Sequence, residues 1–592
     1  MGIISRFNSL PRASEVTPTP SLGQVTVDEK NAAHETTLQV PSDNESEHLQ
    51  GGIREADAIT KLWSWKHLVA AYILIWVINF MHAFSSGIVS TLTPYVTSTF
   101  QYHSLTATTT IVSSLIGGII KLPFAKLIDI WGRTQCFGLG IGFVTLGLIL
   151  MAACNDVKTY AAAQVFYTCG YNMISFVMNI FIVDTSTLRN RALMFALSAT
   201  PYLATMWAYG PAAQHIIAPG GIGFRWGFGI WAILYPIFCA PLFGLFWYYH
   251  IQAKKAGMIS QRKGNRTWKE SFIYYAREFD VIGLILLSAG LALFLLPFSI
   301  YSYQAEQWRS PLIICLIVFG ALLIVCFALY EKYLAPVTFV PWSLLKNRTV
   351  FFTFAMVGSL YTAWYIWDNY FYSFLIVVFD LSVQDATYIT NIYTIGSTFW
   401  AVIVGIMFRY WGRIKWHAVL FGAPLTLLGN ALMIPFRQPN SPVGLIVLCQ
   451  VFIALGGATL VMCEQMTVQA VSKRKDIPAL LATEGMVALI GGSIGSTIAA
   501  AMWTGIFPAK LAKYLPADAQ SALASIYADI TVQSGYPVGS PTRTGINQAY
   551  GDTQKLMLIA SSCLNVITLA MPMLWEDVNV RTLDQQVSGV VV

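Results

Sequence analysis

The sequence predicts an all-α polytopic membrane protein with two six-helix halves and two extra helices between them, about fourteen crossings in all. Three observations carry that expectation. Of the 592 residues, 56% are hydrophobic and only 11% are charged, where a soluble domain is closer to a quarter charged. Apolar runs recur along the chain, most of them near the ~20 residues that cross a bilayer. A short glycine–arginine turn appears twice, about 280 residues apart, which is a repeat at the scale of half a chain.

Taken in order, residues 1–62 are rich in Ser, Thr, Pro, Glu and Asp without periodicity and are expected to be a disordered cytosolic tail. Apolar spans follow at about 66–92, 107–128, 134–154, 160–186, 192–217 and 227–250, which place the first half at 63–250. A basic loop covers 251–279, and two extra helices fall at 281–300 and 311–330, within 280–330. Six more spans, near 350–378, 386–408, 416–435, 443–470, 480–506 and 554–575, make the second half from 350–508 and 554–575. Residues 509–553 are expected to be a long extracellular loop, and 577–592 a cytosolic tail. Basic residues such as Arg133, Arg189, Arg191, Arg413 and Lys473 fall on one side, so the positive-inside rule puts both termini in the cytosol. The sequons at Asn44, Asn265 and Asn347 then face the cytosol and are expected to stay unglycosylated. No basic–apolar–small pattern opens the chain, and no cleaved signal peptide is expected.

The turn itself reads IIKLPFAKLIDIWGRTQ over 119–135, with Ala125, Asp129, Gly132 and Arg133 in the pattern small-x-x-x-D-x-x-G-R. Its second copy holds Gly405, Arg409, Gly412 and Arg413. Glycine permits a tight turn where a side chain would clash. Asp129 and Arg133 can pair with each other or with a neighbouring helix end and so latch one conformation. In the second copy Arg409 stands where the acid would be, and Gly412 and Arg413 are the latch candidates of that half. The pattern resembles the loop signature between the second and third helices of major facilitator transporters. A second echo supports the repeat: Gln164 and Gly170 match Gln450 and Gly456 at the same spacing.

Composition excludes several classes. The net charge of +7 sits in loops between apolar spans and does not suggest nucleic acid. The nine cysteines lie in or beside apolar runs, so no disulfide framework is expected. No nucleotide loop, nucleophile elbow or HExxH occurs, so an enzyme is not expected. The eight histidines make no ligand pair at helical spacing, so neither a bound metal, a resident cofactor nor a bare metal cargo is expected.

Charges inside spans cost about 2.5–3.5 kcal/mol each at a helix centre, and they mark function by default. Asp368 lies mid-span among Trp364, Tyr365, Trp367, Phe371 and Tyr372. A carboxyl among aromatic rings is expensive to ionise and so suits proton carriage. Glu464 and Asp184 are further proton-coupling candidates, although arginines follow Asp184 closely and an ion pair is the alternative there. Lys121 can snorkel to the cytosol, and Glu484 reads as a first-turn charge at a helix start. His82, deep in the first span, fits a hydrogen-bonded packing role. Gly491, Gly495 and Ala499 repeat every four residues, a spacing that allows close helix approach in lipid.

Several stretches sharpen the resemblance to the fungal siderophore–iron transporters. These are Leu92 to Tyr95 with Phe100, Lys121 to Lys126, Asp184 to Arg191, Trp503 and Thr504 with Pro508, and Arg543 to Gln554. The resemblance covers about residues 63–576. It implies proton-driven import of ferric hydroxamate-type siderophores by a monomer in the plasma membrane, or in endosomal vesicles, with protons, the lipid bilayer and the ferric siderophore as its partners. It also implies that the loop before the last helix captures cargo, here through Tyr536, Arg543 and Tyr550. Trp207, Tyr209, Trp364, Tyr365, Trp367 and Tyr372 could line an aromatic cavity for a large, nearly neutral complex. Rival readings are a glutathione/proton or drug/proton antiporter and a non-transporting nutrient sensor. The drug-antiporter signature is degraded, because Gly210 and Pro211 are followed by Gln214 and His215.

Overall fold

The computed structural model describes residues 59–99, 116–218, 220–258, 280–297, 306–335 and 342–583, with a few single positions between them. The expected tail up to residue 58, most of the basic loop 251–279 and residues 584–592 lie outside the described residues. The first half comprises α1 (Trp65–Thr99), α2 (Lys121–Trp131), α3 (Arg133–Ala153), α4 (Val157–Thr185), α5 (Leu188–Ala199), α6 (Tyr202–Ile217) and α7 (Gly223–Lys255). The extra pair is α8 (Val281–Leu295) and α9 (Pro311–Tyr333). The second half comprises α10 (Arg348–Asp368), α11 (Phe371–Val378), α12 (Val383–Trp411), α13 (Ile414–Phe436), α14 (Val443–Ala470), α15 (Ile477–Tyr514) and α16 (Pro541–Ala570).

Eleven stretches of described residues are long and apolar enough to cross a membrane. With α2, the α5–α6 pair broken at Pro201 and the 15-residue α8, the order gives the fourteen expected segments. Helix is the natural outcome here, because lipid offers no partner for backbone N–H and C=O groups. Polar caps mark where the chain re-enters a span. Asp156 accepts from the Thr159 amide at 2.8 Å, and Asn347 accepts from the Thr349 amide at 2.9 Å. Each such cap is worth about 1 kcal/mol. Asp280 caps α8 and also accepts from the Tyr330 hydroxyl at 2.8 Å, which ties α8 to α9.

The repeat seen in the sequence is a repeat of packing. A Cβ on Gly170 of α4 would stand 2.7 Å from the Gly140 carbonyl oxygen of α3. A Cβ on Gly456 of α14 would stand 2.8 Å from the Gly422 carbonyl oxygen of α13. In both halves the fourth crossing therefore touches the third backbone to backbone, a contact open only to the smallest residue. The small-residue face of α15 does the same against α10: Gly491 meets the Gly358 carbonyl, and Gly495 meets Tyr365.

The halves meet along two seams. The broken pair α5–α6 runs against α12, and α2 runs against α15. One expectation changes. The segment 509–553 is helical at both ends, because α15 continues through Pro508 to Tyr514 and α16 starts at Pro541. The Asp552 carboxylate of α16 holds that extension, accepting from Lys510 at 2.7 Å and Tyr514 at 2.8 Å.

Candidate functional site

Both glycine–arginine turns have the backbone the pattern demands. Gly132 has φ +100 and Gly412 has φ +73, a region that L side chains rarely enter. From the first turn Arg133 does not use Asp129 as its hydrogen-bonded partner. It donates through Nε to Asp184 Oδ2 at the end of α4, 3.0 Å away. The neighbouring-helix alternative is the one realised. Asp129 is buried nearby with its Oδ1 accepting no hydrogen bond among the described residues. Asp184 also meets Arg474 of the second half at 3.6 Å. Two further bonds cross the same seam: Arg191 Nη1 to Gln469 at 3.1 Å, and Arg189 Nε to the Arg409 carbonyl at 3.0 Å. Arg191 is fully buried and also donates to the Val183 and Ser186 carbonyls. The sequence marked Asp184 and its arginines; Arg474 stood out only as part of the basic run from Lys473 to Lys475, and Gln469 carries no local signal.

At the second turn a different element supplies the acid. Residues 575–582 fold back over α12 and α13. Lys415 donates to the Trp575 carbonyl at 2.7 Å, and Trp416 donates to Asp577 at 3.1 Å. Arg413 approaches the same Asp577 oxygen at 4.0 Å. The Val580 amide donates to the Gly412 carbonyl at 2.9 Å, and Arg581 donates to the Tyr410 carbonyl at 2.9 Å. Trp575 and Val580 are buried.

Three carboxyl groups lie deeper. Asp368 ends α10, with the Trp364 indole beside it and Arg437, the residue that follows α13, as its electrostatic partner. Arg437 is wholly buried. Its Cζ stands 4.5 Å from the Phe371 ring centroid and 5.1 Å from that of Phe374, and Nη1 donates to the Trp367 carbonyl at 3.3 Å. Sequence reading missed Arg437, which follows the apolar run of α13 as if it were an exit charge. Glu464 of α14 and Glu484 of α15 are both buried and interact with each other. Glu484 is not a first-turn charge, because the Arg474–Asp476 turn and Pro478 start α15 earlier, at Ile477. Lys121 does not snorkel; it lies across the seam on α15, beside Glu484.

The aromatic candidates separate. Trp364 packs on Tyr393 of α12 with centroids 3.9 Å apart and stands half-buried, as does Tyr365. Trp367 is buried against Arg437 and faces no open space. Tyr209 covers Gly87 and reaches Asn391 at 3.5 Å, while Trp207 is exposed and meets Tyr388 at 5.0 Å. Tyr372 is partly exposed on α11. His82 has both ring nitrogens occupied, Nε2 by Ser175 at 2.9 Å and Nδ1 by Tyr235 at 3.1 Å, and stacks on Tyr171.

The segment between α15 and α16 is a folded cap. Its short helices bury Leu515, Ala519 and Ile526 against Trp503, Phe507 and Tyr550. Arg543 is its anchor, not a surface residue. It is 1% exposed and donates to the carbonyls of Val377, Gln533, Ser534 and Tyr536 and to Asp380, at 2.7–3.0 Å. Tyr550 is equally buried, with its hydroxyl on Gln533 at 2.7 Å. Arg543 and Tyr550 are thus buried supports of the cap, and neither side chain lies on its surface. Tyr536, half-buried, is the one of the three with a face still open.

Known proteins match this chain along most of its length. The Major Facilitator Superfamily model matches residues 75–496. The chain is 52% identical to "MFS siderochrome iron transporter 1" of Ajellomyces capsulatus, over 93% of each chain. It is 39% identical to "Siderochrome iron transporter 2" of Aspergillus fumigatus, over 90% of this chain and 87% of that one. It is 37% identical to "Siderophore iron transporter mirB" of Emericella nidulans, over 91% and 89% respectively. The chain thus belongs to the major facilitator superfamily and, within it, to the fungal siderophore–iron transporter family, a family of transporters and not of enzymes.

Proposed function

We propose that this protein imports ferric hydroxamate-type siderophores by alternating access between its two halves, driven by protons moving down their gradient. The observation that carries the cargo is the match to siderochrome and siderophore iron transporters across some nine-tenths of the chain. The chemistry of the site supports it. A ferric trihydroxamate arrives with its iron already wrapped and nearly neutral, so it asks for room and aromatic surface, not metal ligands. Trp364, Tyr365 and Tyr393 offer such surface between α10 and α12. The carboxyl groups of half-buried Asp368 and buried Glu464 are the candidate places for a proton.

In this reading the arginine-rich end carrying Arg133, Arg191 and Arg474 faces the cytosol, and the Arg543 cap faces outside, above the cargo path. The protein works as a monomer at the plasma membrane with both termini inside. The Asp184 cluster breaks when the cytosolic side opens and reforms when it closes. The test is uptake of radio-iron bound to several siderophores in yeast lacking its own carriers, with and without a protonophore. Accumulation of one complex that collapses with the protonophore is the expected result. Surface-exposed protein that accumulates none of them, yet exports glutathione or a drug, would replace this reading with antiport.

A further inference from the structure

The charged groups inside the spans do not balance equally. Asp368 has a cation of its own, Arg437. Glu464 and Glu484 form a second cluster, 2% and 5% exposed, and each keeps one buried oxygen, Oε2, with no hydrogen-bond partner among the described residues. The cation beside this cluster is Lys121, which acts on Glu484. Lys121 reaches from α2 so that its Nζ would stand 2.9 Å from a Cβ on Gly485, the residue after Glu484. The other titratable groups that act on the pair are phenols, Tyr361 of α10 and Tyr393 of α12. Phenols add no charge near neutrality.

Uncompensated charge is costly at this depth. With Lys121 in place, one carboxylate is balanced and the other must hold a proton for the cluster to be neutral. With Lys121 withdrawn, neutrality requires two protons. The ammonium and one proton therefore compete for the same carboxyl pair. The competition has a mechanical consequence, because Lys121 belongs to the first half and both glutamates to the second. Glu484 lies two turns inside α15, about 10 Å from its start, at the same end as the Asp184 cluster.

We propose that the Glu464–Glu484 pair is the proton-loading site and that Lys121 is its built-in competitor, so that binding one proton releases α2 from α15 and opens the seam at the arginine-rich end. The proton that displaces Lys121 arrives while that end is closed. It leaves into the water of the opened end as Lys121 returns to Glu484. One proton then crosses per cycle, and Asp368 with Arg437 stays a permanently balanced pair.

The inference rests on the proton-driven reading above, and the experiment separates the two. Purified protein is reconstituted in liposomes with 55Fe-ferrichrome and 55Fe-desferrioxamine B as probes. Accumulation driven by an imposed pH gradient is compared with exchange of internal for external complex at equal pH. Wild-type protein that exchanges a probe but ignores the gradient defeats the proton-driven reading itself. Where wild type responds, Lys121→Met and Glu484→Gln are each expected to lose about tenfold of gradient-driven accumulation while exchange stays within about twofold. The pH profile of accumulation should flatten in both variants. Lys121→Arg, which keeps the charge, should restore most of the gradient response. Gradient-driven accumulation that survives in Lys121→Met or Glu484→Gln overturns the proposal. So does a Lys121→Arg variant as uncoupled as Lys121→Met, or loss of exchange in step with accumulation.

Discussion

Asp184 holds Arg133 of its own half at 3.0 Å and Arg474 of the other half at 3.6 Å, one oxygen to each. A single carboxylate thus fastens the first glycine–arginine turn and bridges the halves. Its burial makes the arrangement sensitive, since water cannot replace a lost partner.

Asp184→Asn should accordingly be the most damaging change at this end. It removes the carboxylate that both guanidinium groups share, at about 3 kcal/mol or more. Asp129→Asn should do much less, because the hydrogen bond from Arg133 goes to Asp184. Thermal unfolding of the purified variants in detergent orders the two directly. An Asp129→Asn protein as unstable as Asp184→Asn would return the latch to Asp129.

The turn of the second half tests the segment that folds over it. Val580 is buried, and its amide bonds the Gly412 carbonyl. Val580→Glu should therefore detach residues 577–582 and raise amide exchange in the stretch from Tyr410 to Trp416. Asp577→Ala alone should produce a smaller rise, since Asp577 and Arg413 are well exposed and such pairs contribute about 0–1 kcal/mol.

Much of this fold was readable before any coordinates. Span number, the two turns and the matched glycines follow from hydropathy and from positions where a Cβ cannot fit, both of which are local properties. Asp184 stood out because its arginines follow within a few residues. Lys121 and Glu484 could not be paired from sequence. They lie more than 350 positions apart, and each has a harmless local explanation as a snorkelling lysine or a first-turn acid. Arg437 was hidden for the same reason, looking like an exit charge until the rings of Phe371 and Phe374 closed over it. The helix that continues past Pro508 to Tyr514 was not legible from hydropathy. A proline inside a spanning helix removes only one hydrogen bond, and the Asp552 contacts hold the next turns in place.

Asp368 and Arg437 predict an asymmetric double-variant result. Asp368→Asn strands a buried guanidinium and should lower stability and uptake together, by about 3–5 kcal/mol in stability. Adding Arg437→Gln removes the stranded charge, so the double variant should recover much of the lost stability. Its gradient-driven uptake should keep the wild-type pH midpoint. A shifted midpoint in the double variant would make Asp368 a proton carrier after all.

The cap offers the sharpest separation of structure from capture. Tyr550 packs its ring on Phe507, with centroids 4.8 Å apart, and on Trp503, at 5.1 Å, and gives its hydroxyl to Gln533. Tyr550→Ala empties that site and should cost about 3–5 kcal/mol, loosening the cap and raising the apparent KM for uptake. Tyr550→Phe keeps the packing and loses one hydrogen bond, worth about 1 kcal/mol, although Gln533 is left with a buried acceptor. If Tyr550 only supports the cap, Tyr550→Phe should change the KM by less than about twofold, in line with that small loss. Arg543→Lys should behave like Tyr550→Ala, because an ammonium has three donors where the structure uses a guanidinium on five acceptors. A Tyr550→Phe protein with wild-type melting and a KM raised severalfold would place the hydroxyl on the cargo itself and return Tyr550 to the role of capture.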